Sequence, residues 1–164
     1  MRVTIAWALP RREDGSATDR VATSQFGGAM SDFRRVTDSL SVSPQVTEAD
    51  MARAAAEGFV LVINNRPDGE DPSQPASAAI EAAARAAGLD YLYVPVRGGP
   101  TPDQVETVRD AVEAANGPVL AFCRSGTRSI VTWSIGQALA GADRQTLVEQ
   151  GLNAGYDLSG VLPA

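Results

Sequence analysis

Pro118-Val-Leu-Ala-Phe-Cys123-Arg-Ser-Gly-Thr-Arg128-Ser129-Ile130 reads as a strand, a tight loop and the start of a helix, with the chain's single cysteine at the strand's end. In such a turn the backbone N–H groups of residues 124–128 converge on one point, and the following helix adds the positive end of its dipole. An anion belongs there. Arg124 and Arg128 add fixed positive charge, Gly126 supplies backbone geometry, and Ser125 and Thr127 form the loop's rim. Cys123 therefore reads as a nucleophile rather than a buried structural thiol.

Outward from this loop the chain alternates strand and helix signals. Leu40-Ser-Val-Ser43 alternates like a short edge strand that Pro44 breaks. Thr47-Glu-Ala-Asp50 has the form of a capping box opening a helix that Gly58 closes. Residues 59–63 form a continuous apolar run, the pattern of a strand covered on both faces. It ends in Asn64-Asn-Arg66-Pro-Asp68-Gly69, a turn-rich loop at a strand's carboxyl end, where open α/β sheets place ligands. An alanine-rich helix follows over 77–87, then a strand over 91–94 and the loop Arg97-Gly-Gly-Pro100. Thr101 and Pro102 open the next helix, with Val105, Val108 and Val112 on one face. After the cysteine loop, 130–140 is apolar all round and reads as a buried helix, and 143–154 as a shorter amphipathic one. Such alternation predicts a single α/β domain over 31–164, with a mainly parallel central sheet flanked by helices. Residues 1–30 show no sustained period and read as a loose N-terminal extension.

Composition narrows the chemistry. All 14 basic residues are arginine, with no lysine and no histidine. That excludes a Ser-His or Cys-His dyad, a Schiff-base lysine and a histidine metal site, while one cysteine excludes a disulfide framework and a cysteine zinc cluster. Neither a metal nor a cofactor is called for. A net charge of -6 argues against nucleic-acid and anionic-membrane partners, so the anion site is a local feature. The absence of cystines fits a reducing compartment, and the apolar run over 3–9 is too short to span a membrane, so the expected location is cytoplasmic.

Two known families share the loop's pattern. Dual-specificity phosphatases place five residues between cysteine and arginine, whereas four separate Cys123 from Arg128. Rhodanese sulfurtransferases have the shorter loop, and Cys123-Arg-Ser-Gly-Thr-Arg128 resembles theirs. From Phe33 to about Ala140, however, three motifs in order resemble the phosphatase-like domain family of beta-lactamase-hydrolase-like proteins: Val42-Ser-Pro-Gln45, Ile63-Asn-Asn-Arg-Pro-Asp-Gly69 and Phe122-Cys-Arg-Ser-Gly-Thr-Arg-Ser129. This resemblance implies a dual-specificity/tyrosine phosphatase-like architecture. It also implies a sulfurtransferase, with a persulfide dioxygenase as partner.

The leaving group separates the two chemistries. A phosphatase protonates a poor leaving group, and general acid help of that kind is worth about 10²–10⁴ in rate. The loop Arg97-Gly-Gly-Pro100 offers no acid, and Asp103 reads as a first-turn helix acid. Sulfite leaving thiosulfate needs no proton, so the expectation is a rhodanese-type sulfurtransferase. Cys123 would take sulfur from a small anionic donor, thiosulfate or a persulfide, and pass it to an external thiol or cyanide. The alternatives are a cysteine-dependent phosphatase with a cysteinyl-phosphate intermediate and a non-catalytic anion-binding module. Arg128 would steady the loop and the anion, and Ser129 would either hydrogen-bond the thiolate or cap the helix. Arg66 and Arg97 are further candidates for guiding an anion. For Arg66 and Asp68, a locally hydrogen-bonded Arg-Pro-Asp-Gly turn is an equal alternative.

Overall fold

The computed structural model describes residues 32–163, so the expected 1–30 extension lies outside the described residues. Five short strands form one sheet: β1 (Arg34–Arg35), β2 (Leu40–Ser43), β3 (Leu61–Asn64), β4 (Asp90–Tyr93) and β5 (Val119–Phe122). Their spatial order is β1-β2-β5-β3-β4. All neighbours are parallel except β1, which pairs antiparallel with β2. The cysteine strand thus lies in the middle, flanked by β2 and β3.

Alternation along β5 divides the core in two. Leu120 and Phe122 pack with Val46, Met51, Ala54, Ile80 and Ala84, beneath helices α1 (Glu48–Ala56) and α2 (Ser77–Ala86). Val119 and Ala121 pack with Val108, Ile130, Trp133 and Leu147, from α3 (Pro102–Ala114), α4 (Thr127–Leu139) and α5 (Arg144–Asn153). Successive strand residues point to opposite faces, and both faces are covered, which is why β5 is apolar throughout. The expected capping box of Thr47 with Asp50 forms, and Thr101 makes a second one with Gln104. No described helix is long and apolar enough to cross a membrane.

Two expectations need correction. Residues Leu40–Ser43 form an interior strand, all four buried, because Arg34–Arg35 covers their outer side. Thr37 closes that hairpin, its hydroxyl oxygen accepting the N–H groups of Ser39 and Leu40. The added strand is invisible to apolar periodicity, since its two arginines form a charged edge. Helix α4 also begins at Thr127 rather than 130, so Arg128 and Ser129 belong to its first turn.

Beyond α5 the chain returns to the core. Tyr156, Leu158 and Leu162 join the α3–α5 side, although no periodic pattern marks this stretch. Gly151 makes room for the return, since a Cβ there would lie 2.7 Å from Leu158 Cδ1. Leu158→Ala is expected to lower the unfolding free energy by about 2–5 kcal/mol, measured by denaturant titration. A loss near zero would mean that the terminal segment is not part of the core.

Candidate active site

The parallel arrangement brings the carboxyl ends of β2, β3, β4 and β5 to one edge of the sheet. Cys123 follows β5 at the centre of that edge and is fully buried. Its Sγ accepts the Gly126 N–H at 3.1 Å. Gly126 is the N-cap of α4 with φ 91°, a left-handed conformation that glycine adopts without steric cost. That single residue turns the chain from loop into helix. The loop is tied to its neighbour at two points, Cys123 N–H donating to Ser43 O (3.4 Å) and Gln45 N–H to Arg124 O (3.2 Å).

Arg128, one residue into α4, is held from behind. Nη1 donates to Glu70 Oε2 (2.8 Å) and to the Val96 carbonyl (2.9 Å), while Nη2 donates to Glu70 Oε1 (2.8 Å). These bonds occupy the end-on face of the guanidinium. Its side-on fork, Nε–H and the second Nη2–H, has no oxygen acceptor among the described residues. The Glu70 hydrogen bond raises the Arg128 pKa, and the adjacent Cys123 sulfur adds to the rise against the cost of burial. The donors left over from Glu70 and Val96 therefore face the thiol, to which the guanidinium is hydrogen-bonded.

Glu70 is fixed in turn. Arg66 Nε donates to its Oε1 at 3.0 Å, and Arg66 Nη1 donates to Gln45 Oε1 at 3.1 Å. Hydrogen bonding from Arg128 first, and from Arg66 second, lowers the Glu70 pKa from 4.5 to about 2. The Val96 carbonyl has its own anchor in Asn65. Val96 N–H donates to Asn65 O (2.9 Å), Asn65 Nδ2 donates to Val94 O (3.0 Å), and Asn65 N–H donates to Phe122 O (2.8 Å). Two buried polar atoms in this region, Asn65 Oδ1 and Ser129 Oγ, have no hydrogen-bond partner.

The residues singled out from the sequence fall into three places. Cys123, Gly126 and Arg128 come together at the strand end, while Ser129, buried in the first turn of α4 with its hydroxyl unpartnered, does not cap that helix, whose N-cap is Gly126. Arg124, Ser125 and Thr127 are exposed on the rim, where Ser125 Oγ donates to Thr127 Oγ1 at 3.0 Å. Arg97 is exposed on the loop after β4 and forms no ion pair with a described residue. Arg66 is buried and committed to Glu70 and Gln45, so it supports the site rather than meeting an incoming anion. Asp68 is a turn residue, its Oδ1 accepting Ser77 N–H and its own N–H donating to the Tyr93 hydroxyl, both at 2.8 Å. Asp103 is exposed in the first turn of α3.

Sequence reasoning missed Glu70, Gln45 and Asn65. A signal existed for Glu70: two arginines converging on one site need a counter-charge, and Glu70 is the acid four residues after Arg66. Gln45 and Asn65 lie in stretches the sequence singles out, but they act through an amide and the backbone, so their own roles are not marked there.

A central parallel sheet with a cysteine loop feeding a helix defines the cysteine-phosphatase-like class of α/β domains. The chain belongs to the family described as Beta-lactamase hydrolase-like protein, phosphatase-like domain, which matches residues 32–140. A Beta-lactamase hydrolase-like protein of Agrobacterium fabrum is 37% identical over 126 residues, covering 76% of this chain. The match spans only 29% of that relative's length. A candidate phosphatase of Neisseria meningitidis, known from a crystal structure, is 34% identical with TM-score 0.71, covering 78% of this chain and 92% of that one. P. aeruginosa TpbA in complex with pTyr shares the fold at 18% identity and TM-score 0.54, covering 80% of this chain and 83% of that one.

These relatives overturn the sulfurtransferase expectation. A chain that matches this one over most of its length is described as a phosphatase candidate, and the family itself is phosphatase-like. The physical reason is that loop length alone does not decide where the arginine donors end up. With Gly126 turning directly into α4, four intervening residues still bring Arg128 beside Cys123. The sulfur donor, thiol acceptor and dioxygenase partner followed from that expectation and are not carried forward with it.

The Glu70 carboxylate has a lower pKa folded than its ordinary 4.5, so its contribution to stability is fully present above pH 4.5 and lost as pH falls toward 2. The melting temperature of the wild type is therefore expected to exceed that of Glu70→Gln at pH 6, with the gap closing between pH 4.5 and 2. A gap that is constant across that range would contradict the Arg128–Glu70 link.

Proposed function

We propose that the domain is a cysteine-dependent phosphatase, a phosphoric monoester hydrolase. The observation that carries this reading is the Arg128 side-on fork, left without an oxygen acceptor beside a buried Cys123. A planar fork of two N–H donors matches two oxygens of a phosphoryl group, which is the geometry at which arginine surpasses lysine. The Gly126 N–H and the dipole of α4 point the same way, toward negative charge.

In the first step the Cys123 thiolate attacks phosphorus. An S–P bond forms as the ester P–O bond breaks, and the leaving oxygen takes its proton from solvent. Water then attacks phosphorus, the S–P bond breaks, and its electron pair returns to sulfur as inorganic phosphate leaves with the proton balance restored by solvent. Arg128 spans two phosphoryl oxygens in both steps and stabilises the charge that develops on them. Ser129 Oγ, buried without a partner, supplies the hydroxyl donor that a returning thiolate needs. An unpartnered buried hydroxyl otherwise costs about 1–3 kcal/mol.

Proton supply sets the substrate range. Asp68 accepts from Ser77, Glu70 is committed to two arginines, and Asp103 is exposed on α3, while Asp71, the acid that interacts with Arg66 and Arg124, has its pKa lowered by the Ser73 hydrogen bonds and so stays a carboxylate. Phosphate esters of phenols, whose leaving oxygens demand less protonation, are accordingly the substrates favoured over alkyl esters. The missing acid thus narrows the substrates rather than changing the reaction.

The test is hydrolysis of p-nitrophenyl phosphate against a simple alkyl phosphate. The wild type is expected to prefer the aryl ester by about 10²-fold or more, the lower bound for general acid assistance. Cys123→Ser should abolish turnover, and Arg128→Lys should reduce kcat/KM by about 10²-fold through loss of the bidentate fork. Turnover that survives in Cys123→Ser would overturn the proposal, as would a wild type that binds orthovanadate but hydrolyses neither ester.

A further inference from the structure

We propose that Tyr156, beyond the residues matched by the family, is a positioning residue for the Cys123 loop. Its hydroxyl donates to the Ser125 carbonyl at 2.8 Å, the residue immediately before the glycine whose N–H meets Cys123 Sγ. Close approach is part of the arrangement. A Cβ on Gly126 would lie 2.1 Å from Tyr156 Oη and 3.4 Å from the Ser43 carbonyl carbon, so the loop is pressed between the end of β2 and this phenol. Gly126 is thus required twice, by its φ of 91° and by the space that Tyr156 occupies.

Tyr156 is itself well anchored. It is 8% exposed, its N–H donates to the Gly151 carbonyl at 2.8 Å, and the Arg34 guanidinium lies 5.2 Å from the centre of its ring. Burial raises the pKa of its phenol, which keeps the hydroxyl a donor. The consequence is that the 154–163 segment does more than fill the core. It sets the orientation of the 125–126 peptide, whose N–H is the donor to sulfur. Tyr156 hydrogen-bonds no reacting atom, and its hydrogen bond to the loop is to the Ser125 carbonyl.

The kinetic part of this proposal rests on the phosphatase reading, so its main test does not use turnover. In the full-length chain, Tyr156→Phe keeps the ring and its packing but removes the donor. The hydrogen exchange rate of the Gly126 amide, followed by NMR, is expected to rise about tenfold, the equivalent of one lost hydrogen bond. The rate at which iodoacetamide alkylates Cys123 should change with it, while the melting profile stays cooperative. Leu162→Ala, which loosens the packing of the same segment but leaves the hydroxyl in place, should lower stability without altering Gly126 exchange. If p-nitrophenyl phosphate is hydrolysed, kcat should fall in Tyr156→Phe with KM little changed. Gly126 exchange and Cys123 alkylation both at wild-type rates in Tyr156→Phe would overturn the proposal. Equal changes in Leu162→Ala would do the same, because the effect would then be general loosening. A wild type with no phosphatase activity would refute the function proposed above and leave this comparison of amides intact.

Discussion

A guanidinium beside a buried sulfur is useful only if it cannot swing away or collapse onto the thiol. Here the bidentate bond from Arg128 to Glu70 meets that requirement, with the Val96 carbonyl taking a third N–H. Much of the surrounding structure exists to hold those acceptors. Arg66 and Gln45 fix Glu70, while Asn65 ties Val96 to the end of β3. Both partners of the bond are partly exposed, Arg128 at 21% and Glu70 at 28%. Its value lies in geometry more than in stability, since exposed pairs contribute at most about 1 kcal/mol.

The same constraint explains why a loop one residue shorter than that of dual-specificity phosphatases does not dictate another chemistry. Spacing between cysteine and arginine fixes how much chain must close the loop. What the site can bind is fixed by where donors end up. The left-handed Gly126 and the immediate start of α4 at Thr127 absorb the shorter spacing, and the Arg128 fork still lies next to Cys123. Leaving-group chemistry is a separate matter, governed by the acids of neighbouring loops.

Much of the scaffold was legible because its signals are local. The apolar runs of β3 and β5, the Thr47 and Thr101 caps and the valines of α3 each report on residues within one turn or strand, and their alternation defines the sheet. The central cysteine loop was legible for the same reason. What escaped were relations between distant residues: β1 covering β2 through a pair of arginines, Glu70 meeting Arg128, and Tyr156 reaching Ser125. Glu70 and Arg128 are 58 residues apart, and no periodicity links them. The choice between the two readings of Arg66 was open for the same reason, since its partner Gln45 lies 21 residues away and makes it a support.

The most direct test of the account is to look for the covalent intermediate. Wild-type protein mixed with an aryl phosphate, quenched in acid within a fraction of a turnover and digested, should yield the Cys123 peptide carrying one phosphoryl group. Cys123→Ala treated in the same way should carry none. Release of the phenol with no phosphoryl group on Cys123, or with the group on another residue, would contradict the assignment of the thiol as nucleophile and of Arg128 as the group that holds the phosphoryl oxygens.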